Sequence, residues 1–360
     1  MRPLIDAHLD LAWNALSFNR DLTLPLDALR AAERGMTDHP CRGRATVSLP
    51  ELSRGGVAVC LGTVLARCNP GVSAVVRTDL DHRSPAIAFA AAQGQLAYYR
   101  MLVRHGHVTM IDTAQALKQH WTRCVDGDLA GSPLGLILSM EGTDPIVAPD
   151  DAKFWWDQGL RVAGLCHYGR SAHAVGTGDD GPLTPVGIEL LRVFERLGMI
   201  LDVTHLSDMS FDEALDRFAG PVLASHSNCR ALVPDHRQFS DGQLKRLIDR
   251  GAVIGTALDA WMLYPGWERG MTSPSVVGLE AAADHIDHVC QLAGNVNHAA
   301  IGSDLDGGFG TEQTPHDLSS IADLQKLYRI LSARGYSDAD VDVIFHGNWM
   351  RFFLQHLPGI

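Results

Sequence analysis

Residues 199–227 read MILDVTHLSDMSFDEALDRFAGPVLASHS, and this stretch decides the fold. An apolar run at 199–204 gives way to helical spacing over 208–218 and then to a second apolar run at 221–225. That pattern is strand, helix, strand, and two strands joined through a helix run parallel. Each apolar run ends in a histidine, His205 and His226.

The same alternation extends in both directions. Apolar, β-branched runs at 3–8, 57–65, 134–140, 160–166, 252–258 and 299–303 bring the strand count to eight. Helical patterns lie between most of them, at 84–104, 185–197, 240–250, 276–292 and 317–333. Eight alternating units predict an α/β fold closed as a (β/α)8 TIM barrel rather than an open sheet. The polar, glycine-containing stretch at about 17–55 reads as an irregular insertion flanking the site, and 338–356 as a last helix packed on the barrel. Without a repeat, low-complexity tract or linker, residues 1–360 read as a single domain.

Composition narrows the function. A net charge of −12 argues against a nucleic-acid or anionic-membrane surface, since both need clustered Lys and Arg. Hydrophobic residues at 46% and a mean hydropathy near zero describe a soluble chain with a sizeable core. Seven cysteines (41, 60, 68, 124, 166, 229 and 290) show no CxxC spacing and read as reduced core thiols. No apolar run approaches the roughly 20 residues that span a bilayer, and no basic-then-apolar leader or lipid-anchor signal is recognisable. The expectation is a cytoplasmic protein with no membrane anchor and a small-molecule substrate.

In a barrel of this type the chemistry sits at the C-terminal ends of the strands. There the chain places His8 and Asp10 (DAHLD), Glu141 (LSMEG), His167 (GLCHY), His205 (DVTH), His226 (ASHS), and Asp304 and Asp306 (IGSDLDGG). Imidazoles and carboxylates are the usual ligands of zinc-like ions. His8 and Asp10, two apart on a strand, share a face and can chelate one ion. Alone, such a pair is a weak signal; the coincidence of several at one rim carries the case. His105 and His107 mimic a ligand pair but follow a helix, away from that rim, and His285 and His288 read as solvated on a polar helix face. The loop DAWMLYPGWERG at 259–270 offers Trp261, Tyr264 and Trp267 either as pocket walls or as apolar anchors.

The blocks DAHLDLAW, SMEGTDPI, LRVAGLCHYGRSAHAVG, ILDVTHLSDMSF, ASHSNCRALVPDHRQFSD, AIGSDLDGGF and HGNWMRFF together resemble the renal (membrane) dipeptidase family of metallopeptidases, in that family's order, from residue 6 to about 353. The resemblance implies two zinc ions per chain. His8 and Asp10 match the ligands of one zinc, His205 and His226 those of the other, and Glu141 the carboxylate bridging both. It further implies that His167 contacts the scissile carbonyl oxygen, that Arg237 binds the substrate's terminal carboxylate, and that Asp304 handles the proton of a metal-bridging water. A homodimer acting on small peptides, including those with a C-terminal D-residue, is the corresponding expectation. Gln238 stands where bacterial members commonly have Asn, and the secretion signal, disulfides and lipid anchor of the mammalian members have no counterpart. Two rivals remain: a related amidohydrolase acting on another amide, ester or lactone, and a catalytically silent metal-binding barrel.

Overall fold

The computed structural model describes residues 1–69 and 79–359. The predicted barrel strands are all present: β1 (Leu4–Leu9), β2 (Val57–Leu65), β3 (Leu134–Glu141), β4 (Leu160–Gly164), β5 (Ile200–Asp202), β6 (Val222–Leu223), β7 (Ile254–Thr256) and β8 (Ala299–Ile301). Parallel ladders connect β1 through β6 in chain order, and β7 pairs with β8. A bridge between Ala224 and Ile254 joins β6 to β7. The curl closes through a side chain, because Asp6 Oδ1 accepts the Ser303 N–H at 2.8 Å and ties β1 to the end of β8.

The inside of the barrel is filled by apolar side chains that include Ile5, Val59, Ile137, Val162, Ile200 and Leu223. The last helix, Asn348–His356, stops one end with Trp349 and Phe353, whose rings stack at 5.6 Å. The Trp349 indole N–H donates to the Ile301 carbonyl at 2.9 Å, so even this apolar plug leaves no buried donor unpaired. The larger apolar cluster fills the space between strands and outer helices. No helix among the described residues is long and apolar enough to cross a membrane.

Two expectations need correction. The stretch at 17–55 is not irregular throughout: it contains the helices Leu26–Ala32 and Leu49–Arg54. Both are too short to develop a clear period, and they stand because Leu26, Leu29 and Leu52 are buried against the barrel. The connection from β2 to β3 also holds more than the helix predicted at 84–104, which is observed as Pro85–Arg104. A short strand, Val108–Met110, pairs with the start of β3, and a further helix, Ala114–Asp126, follows it. The final segment at 338–356 is helical, with a wider π turn at Val343–Gly347 interrupting it.

Candidate active site

One strand feature shapes the site. Between Asp6 and Leu9, β1 advances three residues while β2 advances two, from Cys60 to Gly62. An extra residue of this kind reverses the in–out alternation. Ile5 and Ala7 therefore belong to the barrel filling, yet His8 also turns inward, where its Nε2 lies 3.7 Å from Glu141 Oε2, 3.7 Å from Asp10 Oδ2 and 3.8 Å from Asp304 Oδ1.

The other strand ends converge on the same carboxylate. Glu141 Oε1 is 3.0 Å from His205 Nε2, 3.2 Å from His226 Nε2 and 3.8 Å from His167 Nε2. His8, Asp10 and Glu141 form one group whose ligand atoms all lie within 4.8 Å of one another; Glu141, His205 and His226 form a second, and His8, His226 and Asp304 a third. His8 Nε2 and Asp10 Oδ1 are buried with no hydrogen-bond partner. Such atoms are costly unless something unprotonated and positive meets them, and this imidazole–carboxylate set fits a zinc-like cation.

Neighbouring side chains fix the imidazoles. Thr177 Oγ1 lies 2.9 Å from His205 Nδ1, and Ser225 Oγ lies 2.8 Å from His226 Nδ1, so both rings present Nε2 to Glu141. Asp202 Oδ1 accepts the N–H groups of Thr204 and Ser225 at 3.0 and 3.1 Å, stapling the ends of β5 and β6 beyond their ladder. His205 and Asp304 occupy left-handed backbone, at φ 70° and 57°. For residues with a Cβ that conformation costs on the order of 1–3 kcal/mol each and persists only where the surroundings impose it.

Electrostatics follow from burial. Loss of solvent, with the charges of Asp10 and Asp202 adding to it, pushes the Glu141 carboxyl up to about 8 against the pull of His8 and Arg237. Burial, then Glu141 and Asp10, hold Asp304 well above the usual carboxylate range. Burial, with Arg237 and the other imidazoles, drives His205 and His226 well below the ordinary histidine value, into the neutral form that binds metals. For His8, burial works against the charged ring, but the facing Glu141, Asp10 and Asp304 outweigh it and raise it to about 10.

The site opens into a cavity of about 290 Å³ whose lining includes Glu141, His167, His205, Arg237 and Asp304 together with three charged residues not anticipated, Arg67, Asp259 and Arg269. Arg237 is buried. Its guanidinium donates to the His226 carbonyl at 2.8 Å and to Ser227 Oγ at 3.3 Å, and meets no carboxylate in ion-pair range among the described residues. Gln238, the departure noted beside it, is also buried; its amide donates to the Met262 carbonyl at 2.7 Å and accepts the Asn228 N–H at 3.2 Å. Arg67 Nη1 stands 3.4 Å from His167 Nδ1 and is itself neutralised by Asp81, 2.7 Å from its Nε.

Other readings divide. Of the aromatic loop, Trp261 lines the cavity, whereas Tyr264 does not and Trp267 packs against the core. Asp306 points away from the metal candidates. Its oxygens accept the Thr46 N–H and hydroxyl, both at 2.7 Å, and the Val47 N–H at 3.1 Å, which anchors the inserted segment. His285 is not solvated but 2% exposed, because its helix turns that face inward and its Nδ1 accepts the Cys229 N–H at 3.0 Å. His288 is the half-buried member and bonds Asp241 at 2.8 Å. All seven cysteines are free thiols. The four lysines, at 118, 153, 245 and 326, all lie on outer helices, so none stands at a strand end where a carboxylated lysine could bridge metals.

Comparison with known proteins places this geometry. Residues 1–356 match the family model described as membrane dipeptidase, peptidase family M19. An uncharacterised protein in the pqqA 5′ region of Klebsiella pneumoniae is 33% identical over 268 residues, 71% of this chain and 93% of that protein. The dipeptidase tcpJ of Claviceps purpurea is 30% identical over 200 residues, which are 54% of this chain but only 44% of that longer protein. The fold is shared with a metallo peptidase from Rhodobacter sphaeroides, crystallised with a phosphinate mimic of the dipeptide L-Ala-D-Ala, at a TM-score of 0.78 and 22% identity over 99% of both chains. The probable dipeptidase PvdM of Pseudomonas aeruginosa gives a TM-score of 0.73 at 19% identity, over 98% of this chain and 96% of that one. With nearly its whole length inside one family model, and with imidazoles and carboxylates gathered at the mouth of a (β/α)8 barrel, this chain belongs to the membrane dipeptidase family, M19, of metallopeptidases.

Proposed function

We propose that the site holds two zinc ions and hydrolyses the peptide bond of dipeptides, those with a C-terminal D-residue included. The observation that carries this reading is Glu141, which faces His205 and His226 through one oxygen and His8 through the other, beside the unpartnered His8 Nε2 and Asp10 Oδ1. His8 and Asp10 would hold one ion, His205 and His226 the other, and Glu141 both. When bound, such ions supply a Lewis acid for a carbonyl and a water acidic enough to lose its proton near neutral pH.

The chain's own groups supply the remainder. Asp304 keeps a high proton affinity through burial, takes a proton from the attacking water and delivers it to the departing amine. His167 donates to the carbonyl oxygen as negative charge develops there, a contribution of about 3–4 kcal/mol for a well-placed donor. Arg237, free of a carboxylate partner among the described residues, pairs its planar fork with the terminal carboxylate and so favours short substrates. The dipeptide mimic bound by the Rhodobacter sphaeroides protein supports a substrate ending in a D-residue. A homodimer in the cytoplasm completes the proposal, and seven free thiols support the reducing compartment.

Zinc-loaded protein assayed against L,L- and L,D-dipeptides, lactones and phosphotriesters tests the reading. Turnover of dipeptides, lost when the C-terminal carboxylate is amidated, is the expected outcome. Turnover of lactones alone identifies the amidohydrolase alternative, and zinc binding without any turnover the silent barrel.

A further inference from the structure

The loop after β7 carries a carboxylate that the chemistry above does not use. Asp259 is 4% exposed and borders the same cavity as Glu141 and Arg237. The Gln313 side-chain amide donates to both its oxygens, at 2.8 and 3.0 Å, and the Trp261 N–H donates to Oδ1 at 3.3 Å. These neutral donors hold the group rigidly without balancing its charge.

The cation nearest to it is loosely placed. Arg269 Nη2 stands 3.8 Å from Asp259 Oδ2, beyond hydrogen-bond distance, on a side chain 63% exposed to solvent. The same guanidinium lies 5.6 Å from the centre of the Trp261 ring. With its guanidinium in solvent and beyond hydrogen-bond reach of the buried carboxylate, Arg269 is held loosely enough to be exchanged. Arg269 thus marks a place where a planar or ammonium cation finds a fixed carboxylate and an aromatic face together. Burial pushes the Asp259 carboxyl up to about 7, against Arg269 and Gln313, so a closer cation would stabilise its charged form.

We infer that Asp259 and Trp261 form a side-chain subsite for a cationic residue of the substrate, arginine or lysine, which displaces Arg269 from Asp259. The inference rests on the dipeptidase reading. It adds a second charge filter to that of Arg237, one wall taking the terminal carboxylate and another the cationic side chain.

The test compares kcat/KM for Ala-Ala, Arg-Ala, Ala-Arg, Glu-Ala and Ala-Glu, each also with a C-terminal D-residue, on the zinc-loaded full chain. The expected result is that a cationic member exceeds Ala-Ala by about ten-fold or more, the scale of a charge-assisted hydrogen bond. Asp259→Asn keeps an oxygen for the Gln313 and Trp261 donors and should cut that ratio about ten-fold, while Arg269→Gln, at an exposed position, should raise it. A wild-type enzyme with no cationic preference overturns the subsite while leaving the dipeptidase reading intact. So does an Asp259→Asn variant that loses Ala-Ala and Arg-Ala activity equally, which would mark a structural carboxylate or one that reads the α-ammonium. A preference for Glu abolished by Arg269→Gln overturns it in favour of an anion site. No hydrolysis anywhere in the panel overturns the dipeptidase reading and the subsite with it.

Discussion

At the scale of single residues, the site depends on atoms that have no satisfactory partner within the protein. His8 Nε2 and Asp10 Oδ1 are buried without a hydrogen bond, and Glu141 sits among four imidazoles whose nearest nitrogens are 3.0–3.8 Å away. Removing the carboxylate charge should therefore act on metal content before it acts on the fold. Glu141→Gln is expected to lose most of its bound zinc and, with it, activity by a factor of about a thousand or more; elemental analysis beside a dipeptide assay checks both. Arg237→Lys keeps the charge but loses the fork, and should raise KM about ten-fold or more with less effect on kcat, provided the carboxylate is held equally in ground and transition states. Zinc content must be measured in that variant too, because Arg237 also donates to the carbonyl of His226.

At the scale of elements, the strand ends matter more than the strands. The bulge in β1 turns His8 inward, Asp6 and Asp202 staple neighbouring strands where the ladders stop, and Thr177 and Ser225 aim two imidazoles. Close approach of backbones at the end of β6 is part of this arrangement. A Cβ added to Gly302, just past β8, would meet the Ser225 carbonyl oxygen at 1.7 Å, and one added to Gly255 in β7 would meet it at 2.0 Å. Gly302→Ala should consequently displace Ser225 and the adjoining His226. We expect destabilisation of roughly 3 kcal/mol or more and reduced zinc affinity, read by urea unfolding and by competition with a chromophoric chelator. Unchanged stability and zinc affinity would remove this close packing from the account of the site.

At the scale of the whole molecule, burial of neutral histidines couples stability to pH. His173 is pushed down to about 4 by burial, and His285 to about 3 by burial and then by the neighbouring His288. Both therefore lie below the ordinary value of 6.5. The stability they contribute is present above that value and is lost as pH falls through the folded ones, at about 1.4 kcal/mol per unit for each ring. Urea unfolding should show a loss on the order of 3–4 kcal/mol between pH 6.5 and 5, and His285→Asn, which retains an acceptor for the Cys229 N–H, should recover about half of it. Chelation should also lower Tm, by an amount equivalent to about 3 kcal/mol for each ion present at a hundred times its Kd, and zinc should restore it. A Tm indifferent to chelator would mean that the cluster binds no ion in the folded state.

Sequence alone was enough to establish the eight-strand count, the parallel order and the rim on which His8, Asp10, Glu141, His167, His205, His226 and Asp304 lie, since apolar runs of strand length alternating with helical periods admit few other closed arrangements. The family's ordered blocks were equally legible, because they are local strings. What lacked a local period stayed hidden: the short helices at Leu26–Ala32 and Leu49–Arg54, and the three-residue strand Val108–Met110, which stands by pairing with β3 and by packing of Val108 and Met110 against the core. His285 was misread because a helix's buried face depends on what packs against it, here Cys229, far away in sequence. The same holds within the site. Thr177, Arg67, Asp259 and Arg269 carry no motif, and their relation to the metal candidates exists only in three dimensions. Side-chain types at strand ends determined which chemistry was available; the bulge, the close glycine contacts and the loops after β2 and β7 decided where each atom points, through packing and hydrogen bonds between residues that no sequence window contains.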